Sequence, residues 1–299
     1  MKVRVGVGLG TRQANGDAGE FSMLVDALED LGFDSLWLSE RATGPIVDPL
    51  IALAVAAGRT ERIKLGTSVQ VLPGRNALLL AKEWASLDTL SGGRTLPAFG
   101  LGIVDPREQQ AFRVERAERA RLFDEALELL RRFWTEDTVT HHGEHFDYDG
   151  VGIGVAPVQR PPDVWLGGRA PGELKRVGRV ADGWLPSFTT PELAVQGREV
   201  VMQAAATAGR KIDDEHWGVL VPYAEKELPD AVVRLFSERF EGVDPGDVIP
   251  VGLEPLRKHL ERFIDVDFSK LVVVPFDAPS DWHRAMSDLA DAVLDLQTR

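Results

Sequence analysis

The chain has 299 residues, of which 44% are hydrophobic and 27% charged, with no cysteine. That absence removes disulfide scaffolds, thiolate zinc sites, iron–sulfur clusters and cysteine nucleophiles together. Acidic residues outnumber basic ones 47 to 34, a net charge of -13, which disfavours nonspecific nucleic-acid binding because that binding neutralises phosphates with Lys and Arg. The longest apolar stretch, 49–58, is far too short to cross a membrane, and the N-terminus lacks the apolar core of an export signal. A cytoplasmic protein acting on a small molecule, with neither membrane nor nucleic acid as partner, is the expectation.

Along the chain, short β-type runs alternate with amphipathic helices. Val3, Val5, Val7 and Leu9 alternate with small or polar residues, the period of a strand. Asp17 and Glu20 then open a helix that carries Phe21, Leu24, Val25, Leu28 and Leu31 on one side, with Gly32 as its stop. A strand at 35–40 follows, and Asp48-Pro49 supplies an N-cap and an N1 proline for a helix to about residue 58. The pattern continues with a strand at 63–72, a helix at 76–90 closed by Gly92 and Gly93, and a strand at 95–101 weakened by Pro97. Next comes a charged helix from about 111 to 134, with Glu115–Arg119 and Glu128–Arg132 as i,i+4 pairs on its wet side.

Residues 135–162 break the rhythm with hairpin-like strands and read as an insertion. The alternation resumes with strands at 163–167, 183–187, 217–223 and 270–276. Helices fall at 171–181, 191–208, 229–240, 254–264 and 281–296. Eight strands, each followed by helix, imply parallel pairing and crossover connections. The expectation is an α/β chain forming one (β/α)8 TIM-barrel domain over 1–299, with the insertion between strands 4 and 5. The rival open nucleotide-binding sheet lacks its glycine spacing. Gly6-Val7-Gly8-Leu9-Gly10-Thr11 is not G-x-G-x-x-G, and Asp105 stands where Gly100-Leu101-Gly102 would need its third glycine.

In such a barrel the site lies at the C-terminal strand ends. Those ends are rich in glycine and apolar residues, which suits a flat aromatic ligand approached closely by backbone, and Glu40 with Arg41 is their densest ionisable pair. His141-His142-Gly143-Glu144-His145 matches H-x-x-E-H, but that zinc pattern needs a helix, and Gly143 after Thr138-Val139-Thr140 reads as a hairpin turn. Trp37, Trp84, Trp134, Trp165 and Trp184 fall on core faces.

Three segments, Phe33-Asp34-Ser35-Leu36-Trp37-Leu38-Ser39-Glu40, Ile63-Lys64-Leu65-Gly66-Thr67-Ser68-Val69 and Leu87-Asp88-Thr89-Leu90-Ser91-Gly92-Gly93-Arg94, carry a further signal. With the charged helix 119–134, Val164-Trp165-Leu166-Gly167-Gly168 and Ala181-Asp182-Gly183-Trp184, they resemble the bacterial luciferase-like superfamily of flavin and deazaflavin oxidoreductases, in family order. The resemblance implies a barrel binding coenzyme F420, or alternatively FMN, at its strand ends. Leu9, Glu40, Ser68, Val69, Val71, Gly100 and Gly102 would form the ring's seat. A non-proline cis peptide of F420-dependent members maps onto Ser68–Val69. Gly167, Gly168, Arg169 and Ala170 resemble the family's phosphate turn, where free amides at a helix start and a guanidinium suit a phosphate.

The reading that follows is an F420-dependent oxidoreductase, with Glu40 transferring a proton and Arg41 orienting an anion or pairing with Glu40. Members that oxidise glucose 6-phosphate carry Asp-His where this chain has Glu40-Arg41, a departure that argues against a sugar phosphate. The alternatives are an FMN-dependent monooxygenase served by a separate flavin reductase and, in another class, a non-catalytic barrel that carries a flavin-type ligand. Family habit implies a homodimer.

Overall fold

The computed structural model describes residues 1–11, 17–239 and 243–298. The elements of its first half are β1 (Arg4–Leu9), α1 (Ala18–Leu31), β2 (Ser35–Leu38), α2 (Pro49–Arg59), β3 (Lys64–Thr67), β4 (Gln70–Val71), α3 (Ala77–Ser91), β5 (Thr95–Leu96), β6 (Ala98–Gly100), α4 (Pro106–Phe112) and α5 (Arg119–Thr135). Then come β7 (Val139–His142), β8 (Asp147–Val151), β9 (Trp165–Leu166), α6 (Pro171–Val180), β10 (Gly183–Trp184), α7 (Pro191–Thr207), β11 (Gly218–Tyr223), α8 (Asp230–Arg239), α9 (Pro245–Val248), α10 (Leu253–Asp265), β12 (Lys270–Pro275) and α11 (Trp282–Val293).

Local chemistry accounts for the helix boundaries. Asp17 accepts from the Glu20 amide at 2.9 Å and Gly32 ends α1 with φ +87°, a left-handed conformation that glycine adopts without a Cβ clash. Asp48 caps the amides of Leu50 and Ile51 ahead of Pro49, and Asn76 caps Leu79.

The strands form two parallel ladders, β11-β12-β1-β2-β3-β5 and β10-β9-β6-β4. They are halves of one ring. β3 and β4 are one strand interrupted at Ser68–Val69, whose peptide is cis as the resemblance implied. β5 and β6 are one strand interrupted at Pro97, which has no N–H for a ladder. The ring closes between β10 and β11 through two isolated parallel bridges, Trp184 with Trp217 and Ser187 with Leu220. The chain is thus the expected (β/α)8 barrel, and the antiparallel pair β7–β8 is the expected hairpin between its fourth and fifth strands.

Several boundaries differ from expectation. The charged helix begins at Arg119 rather than about 111, and before it lies a separate, unexpected helix, α4, which ends where Arg113 takes a left-handed φ of 51°. Arg119 is not an exposed partner of Glu115: it is buried and donates to the Ile103 carbonyl at 2.9 Å. Arg132 bonds Glu136 rather than Glu128, at 2.8 Å. The strand at 183–187 has ladder pairing only at 183–184, and residue 240 of the expected helix at 229–240 lies outside the described residues.

The barrel interior explains several glycines. Trp37 and Trp165 fill it, edge to face at 6.1 Å, with Leu96, Leu185, Val272 and Val274 around them. A Cβ on Gly66 would stand 2.5 Å from the Trp37 ring, and one on Gly183 would stand 2.5 Å from that of Trp165. Each indole therefore occupies the space a side chain on a neighbouring strand would take. Gly66→Val is expected to give no soluble, cooperatively melting protein, since ring and backbone are both fixed; a parent-like melt by circular dichroism would contradict this packing. Outside the strands, Phe21, Leu24, Val25 and Leu28 of α1 and Leu80, Ala81 and Trp84 of α3 face the sheet. All five tryptophans assigned to core faces are buried.

Candidate active site

A cavity of about 650 Å³ opens at the C-terminal ends of the strands. Its floor is Val69, raised by the break between β3 and β4 and packed from below on the Trp37–Trp165 cluster. Glycines flank it: a Cβ on Gly100 would fall 2.5 Å from Val69 Cγ2, and one on Gly102 3.1 Å from Val71 Cγ1. Of the residues singled out in the sequence, Glu40, Arg41, Ser68, Val69, Val71, Gly100, Gly102, Gly167 and Gly168 line this cavity together. Leu9 does not. It is buried in the barrel wall, and Gly10 takes the lining position. Arg169 and Ala170 do not line it either.

Glu40 lies just past β2 with its carboxylate buried. The Val71 amide donates to Oε2 at 2.7 Å, and Arg75 pairs with Oε1. Burial pushes the Glu40 carboxyl above its ordinary value, outweighing the Arg75 charge and the Val71 amide, which pull it down. Arg75 is in turn fixed by its Nε bond to the Val71 carbonyl at 2.9 Å and by the Phe112 ring beneath it.

Of the two roles open to Arg41, pairing with Glu40 does not occur. Successive residues of extended backbone point to opposite sides, and Arg41 turns to Asp105 at 3.4 Å and Glu108 at 3.3 Å. Glu108, on the unforeseen helix α4, also accepts from the amides of Ala42 and Thr43 at 3.0 Å and from Thr43 Oγ1 at 2.5 Å. It clasps the segment after Glu40 to the cavity rim. Burial raises its pKa, but the Thr43 hydroxyl, the two amides and Arg41 outweigh that and hold it below its ordinary 4.5. The clasp is therefore at full strength above that value and is lost only as pH falls through the lower folded one. Glu108→Gln is expected to raise KM several-fold at neutral pH with kcat less affected; unchanged KM would mean that the clasp does not order the rim.

The turn after β9 is built differently from expectation. The amides of Arg169 and Ala170 are not free, because both donate to Glu173 Oε2 at 2.9 Å. A Cβ on Gly168 would sit 2.6 Å from the same oxygen. The cation that lines the cavity from α6 is Arg176, which bonds Asp124 at 2.6 Å and lies over the Phe123 ring. It stands one turn beyond Glu173, a helical spacing readable in the sequence. His141, within the H-x-x-E-H run, lies on the hairpin with Nε2 3.0 Å from Glu125.

The model of the luciferase-like monooxygenase family matches residues 2–292. The chain belongs to that family. Its named relatives include both F420 enzymes and oxygenases. It is 31% identical over 210 residues to a Mycobacterium tuberculosis protein named for coenzyme F420-dependent oxidoreductase activity, covering 66% of this chain and 59% of that one. It is 30% identical over 167 residues to the F420-dependent glucose-6-phosphate dehydrogenase of Kineococcus radiotolerans, with 52% and 49% covered. Limonene 1,2-monooxygenase of Rhodococcus erythropolis is 28% identical over 71% of this chain and 57% of its own. The chain thus spans about half to three-fifths of the length of these relatives. The fold of the family is shared at full length. An F420-dependent secondary alcohol dehydrogenase crystallised with an F420-acetone adduct superposes with a TM-score of 0.80 at 16% identity, all of both chains covered. An FMN-bound type II Baeyer–Villiger monooxygenase of Pseudomonas putida gives 0.78 at 18%, with 100% of this chain and 99% of the other covered. Among the described residues no helix is long and apolar enough to cross a membrane.

Proposed function

We propose that the chain is an F420-dependent oxidoreductase that moves a hydride between the deazaflavin and a small organic substrate. The observation that carries this reading is the seat itself: Val69 stands between Gly100 and Gly167, in a cavity also lined by the buried carboxylate of Glu40. A Cβ on Gly100 would meet Val69, so its absence leaves the flat, close approach a tricyclic ring needs. Bound there, the deazaflavin supplies the carbon that accepts or donates the hydride. The chain supplies the rest. Ser68, Val69 and Gly100 would support one face of the ring, and Gly167 and Gly168 would border it. Glu40, its ionised form disfavoured by burial, takes the substrate hydroxyl proton when the substrate is oxidised and returns it in the reverse direction.

The relatives named as monooxygenases support a second reading, in which the seat holds FMN delivered by a separate reductase. Titration of the purified chain with F420 and with FMN, followed by cofactor fluorescence, separates the two. Tight F420 binding with substrate-dependent bleaching supports the first; preferential FMN binding with oxygen uptake replaces it with the second. Binding of either without turnover would return the chain to the role of a carrier. We also read the whole chain as one domain working in the cytoplasm as a homodimer, for which exposed Ile51 and Val55 on α2 offer an apolar contact.

A further inference from the structure

Glu108 and Phe112 are four positions apart on α4, so they share one face of that helix. With that face α4 grips the two segments that meet at Glu40. Glu108 holds residues 41–43, which follow β2, through the amides of Ala42 and Thr43 at 3.0 Å each. Phe112 holds the turn that follows β4. Its ring lies under the Arg75 guanidinium, with Cζ 5.8 Å from the ring centre. Its carbonyl packs so closely on Gly74 that a Cβ there would collide with the oxygen. Arg75 needs this support, because its side chain is 25% exposed and its Nε bond to the Val71 carbonyl fixes one edge of the guanidinium. A guanidinium on a flexible stem beside water exchanges a carboxylate for solvent readily, and an aromatic face beneath it favours the held position. The other charges around Glu40 do not replace Arg75. Arg41 is turned to Asp105 and Glu108. Asp48, at the start of α2, adds a negative charge that disfavours ionisation of Glu40, and Glu83 on α3 feels the same Arg75 and Asp48.

We infer that Phe112 is a positioning residue for the acid: from α4 it holds Arg75 against the Glu40 carboxylate, so that the helix at the rim sets how readily Glu40 gives and takes its proton. The inference deepens the reading of Glu40 as the proton-transfer group, on which its catalytic half rests. With a flexible chain in place of the ring, water shares the guanidinium. Its pull on the carboxylate then weakens, and Glu40 keeps its proton to higher pH.

The test is the ionisation midpoint of Glu40 in the full chain, read by carbon-13 NMR of the glutamate carboxyls, with the Glu40 signal assigned by its loss in Glu40→Gln. Phe112→Leu is expected to move the midpoint upward, by less than Arg75→Gln does. Phe112→Met should behave alike and serves if the Leu variant does not fold. Phe112→Tyr, which keeps the ring, should leave the midpoint at the parent value. In the Arg75→Gln background Phe112→Leu should move it no further, because the ring then has no guanidinium to hold; a general loosening of the rim would shift both backgrounds alike. With F420 and substrate, the rising limb of kcat/KM should follow the NMR midpoint in each variant. An unmoved midpoint in Phe112→Leu, an equal shift with and without Arg75, or a shift in Phe112→Tyr as large as in Phe112→Leu overturns the inference. A limb that ignores a midpoint moved as expected overturns instead the role of Glu40 in proton transfer, and leaves the hold of Phe112 on Arg75 in place.

Discussion

Glu40→Gln is expected to lower kcat/KM for substrate oxidation about 100- to 10,000-fold, the usual contribution of a positioned proton-transfer group, while F420 affinity stays within a few-fold. The amide keeps an acceptor for the Val71 N–H, so the backbone bond that fixes residue 40 survives. What it loses is the ability to take a proton. The pH dependence carries the sign. Burial holds the Glu40 pKa above its ordinary 4.5, so oxidation should rise with pH through that elevated value, and the rising limb should vanish in the Gln variant. Arg75 lowers the same pKa, so Arg75→Gln should move the limb to higher pH. The raised folded pKa means that ionised Glu40 weakens the fold as pH rises past its unfolded value; the thermal midpoint of Glu40→Gln at pH 8 should therefore stay within about 3 °C of the parent. A Gln variant that retains turnover and the same pH profile removes Glu40 from the chemistry.

Arg94→Ala is expected to be the most damaging single change at the opposite end of the barrel. Its guanidinium is buried and donates five times: to Ser91 O at 2.7 Å, Thr60 Oγ1 at 2.7 Å, Ile63 O at 3.0 Å, and Ala57 O and Thr60 O at 2.9 Å each. It thereby joins the end of α2, the approach to β3 and the end of α3. Removing it strips several carbonyls of a charged donor at once, which costs about 3–5 kcal/mol and lowers the thermal midpoint on the order of 6–12 °C. Lysine should rescue little, because a point charge cannot reproduce the fork. Cofactor affinity of the folded fraction should be unchanged, since Arg94 does not line the cavity. A midpoint within a degree of the parent would show that water replaces the guanidinium without loss.

The barrel was legible because its signals are local. The period-2 run at 3–9, the Asp48-Pro49 start and the Gly32 stop each follow from neighbouring residues, and their alternation leaves few topologies. The departures come from competition between local signals. Asp105-Pro106 opens a helix as Asp48-Pro49 does, yet the strong amphipathic pattern that follows drew the expected start on to about 111 and left α4 unread. The Glu40–Arg41 pairing was inferred from adjacency, whereas Glu40 found Arg75, 35 positions on, because the next strand and its turn lie beside it in the ring. The expected phosphate turn rested on glycines alone. Glu173, three residues beyond Ala170, was visible as a capping residue, and its carboxylate took the amides assigned to a ligand. Phe188, Phe236 and Phe276 also line the cavity, from separate segments after β10, β11 and β12, which no local sequence pattern brings together.

The packing of Trp37 and Trp165 directly under Val69 has an optical consequence. A conjugated ring lying on that valine would be one side chain away from two indoles, close enough to drain their excited states by resonance transfer. Ultraviolet emission from the chain should therefore dim in proportion to occupancy, giving a label-free gauge of saturation. Because those indoles are shielded from solvent, iodide should quench them little, and Trp37→Phe should reduce the amplitude of the dimming without changing its midpoint.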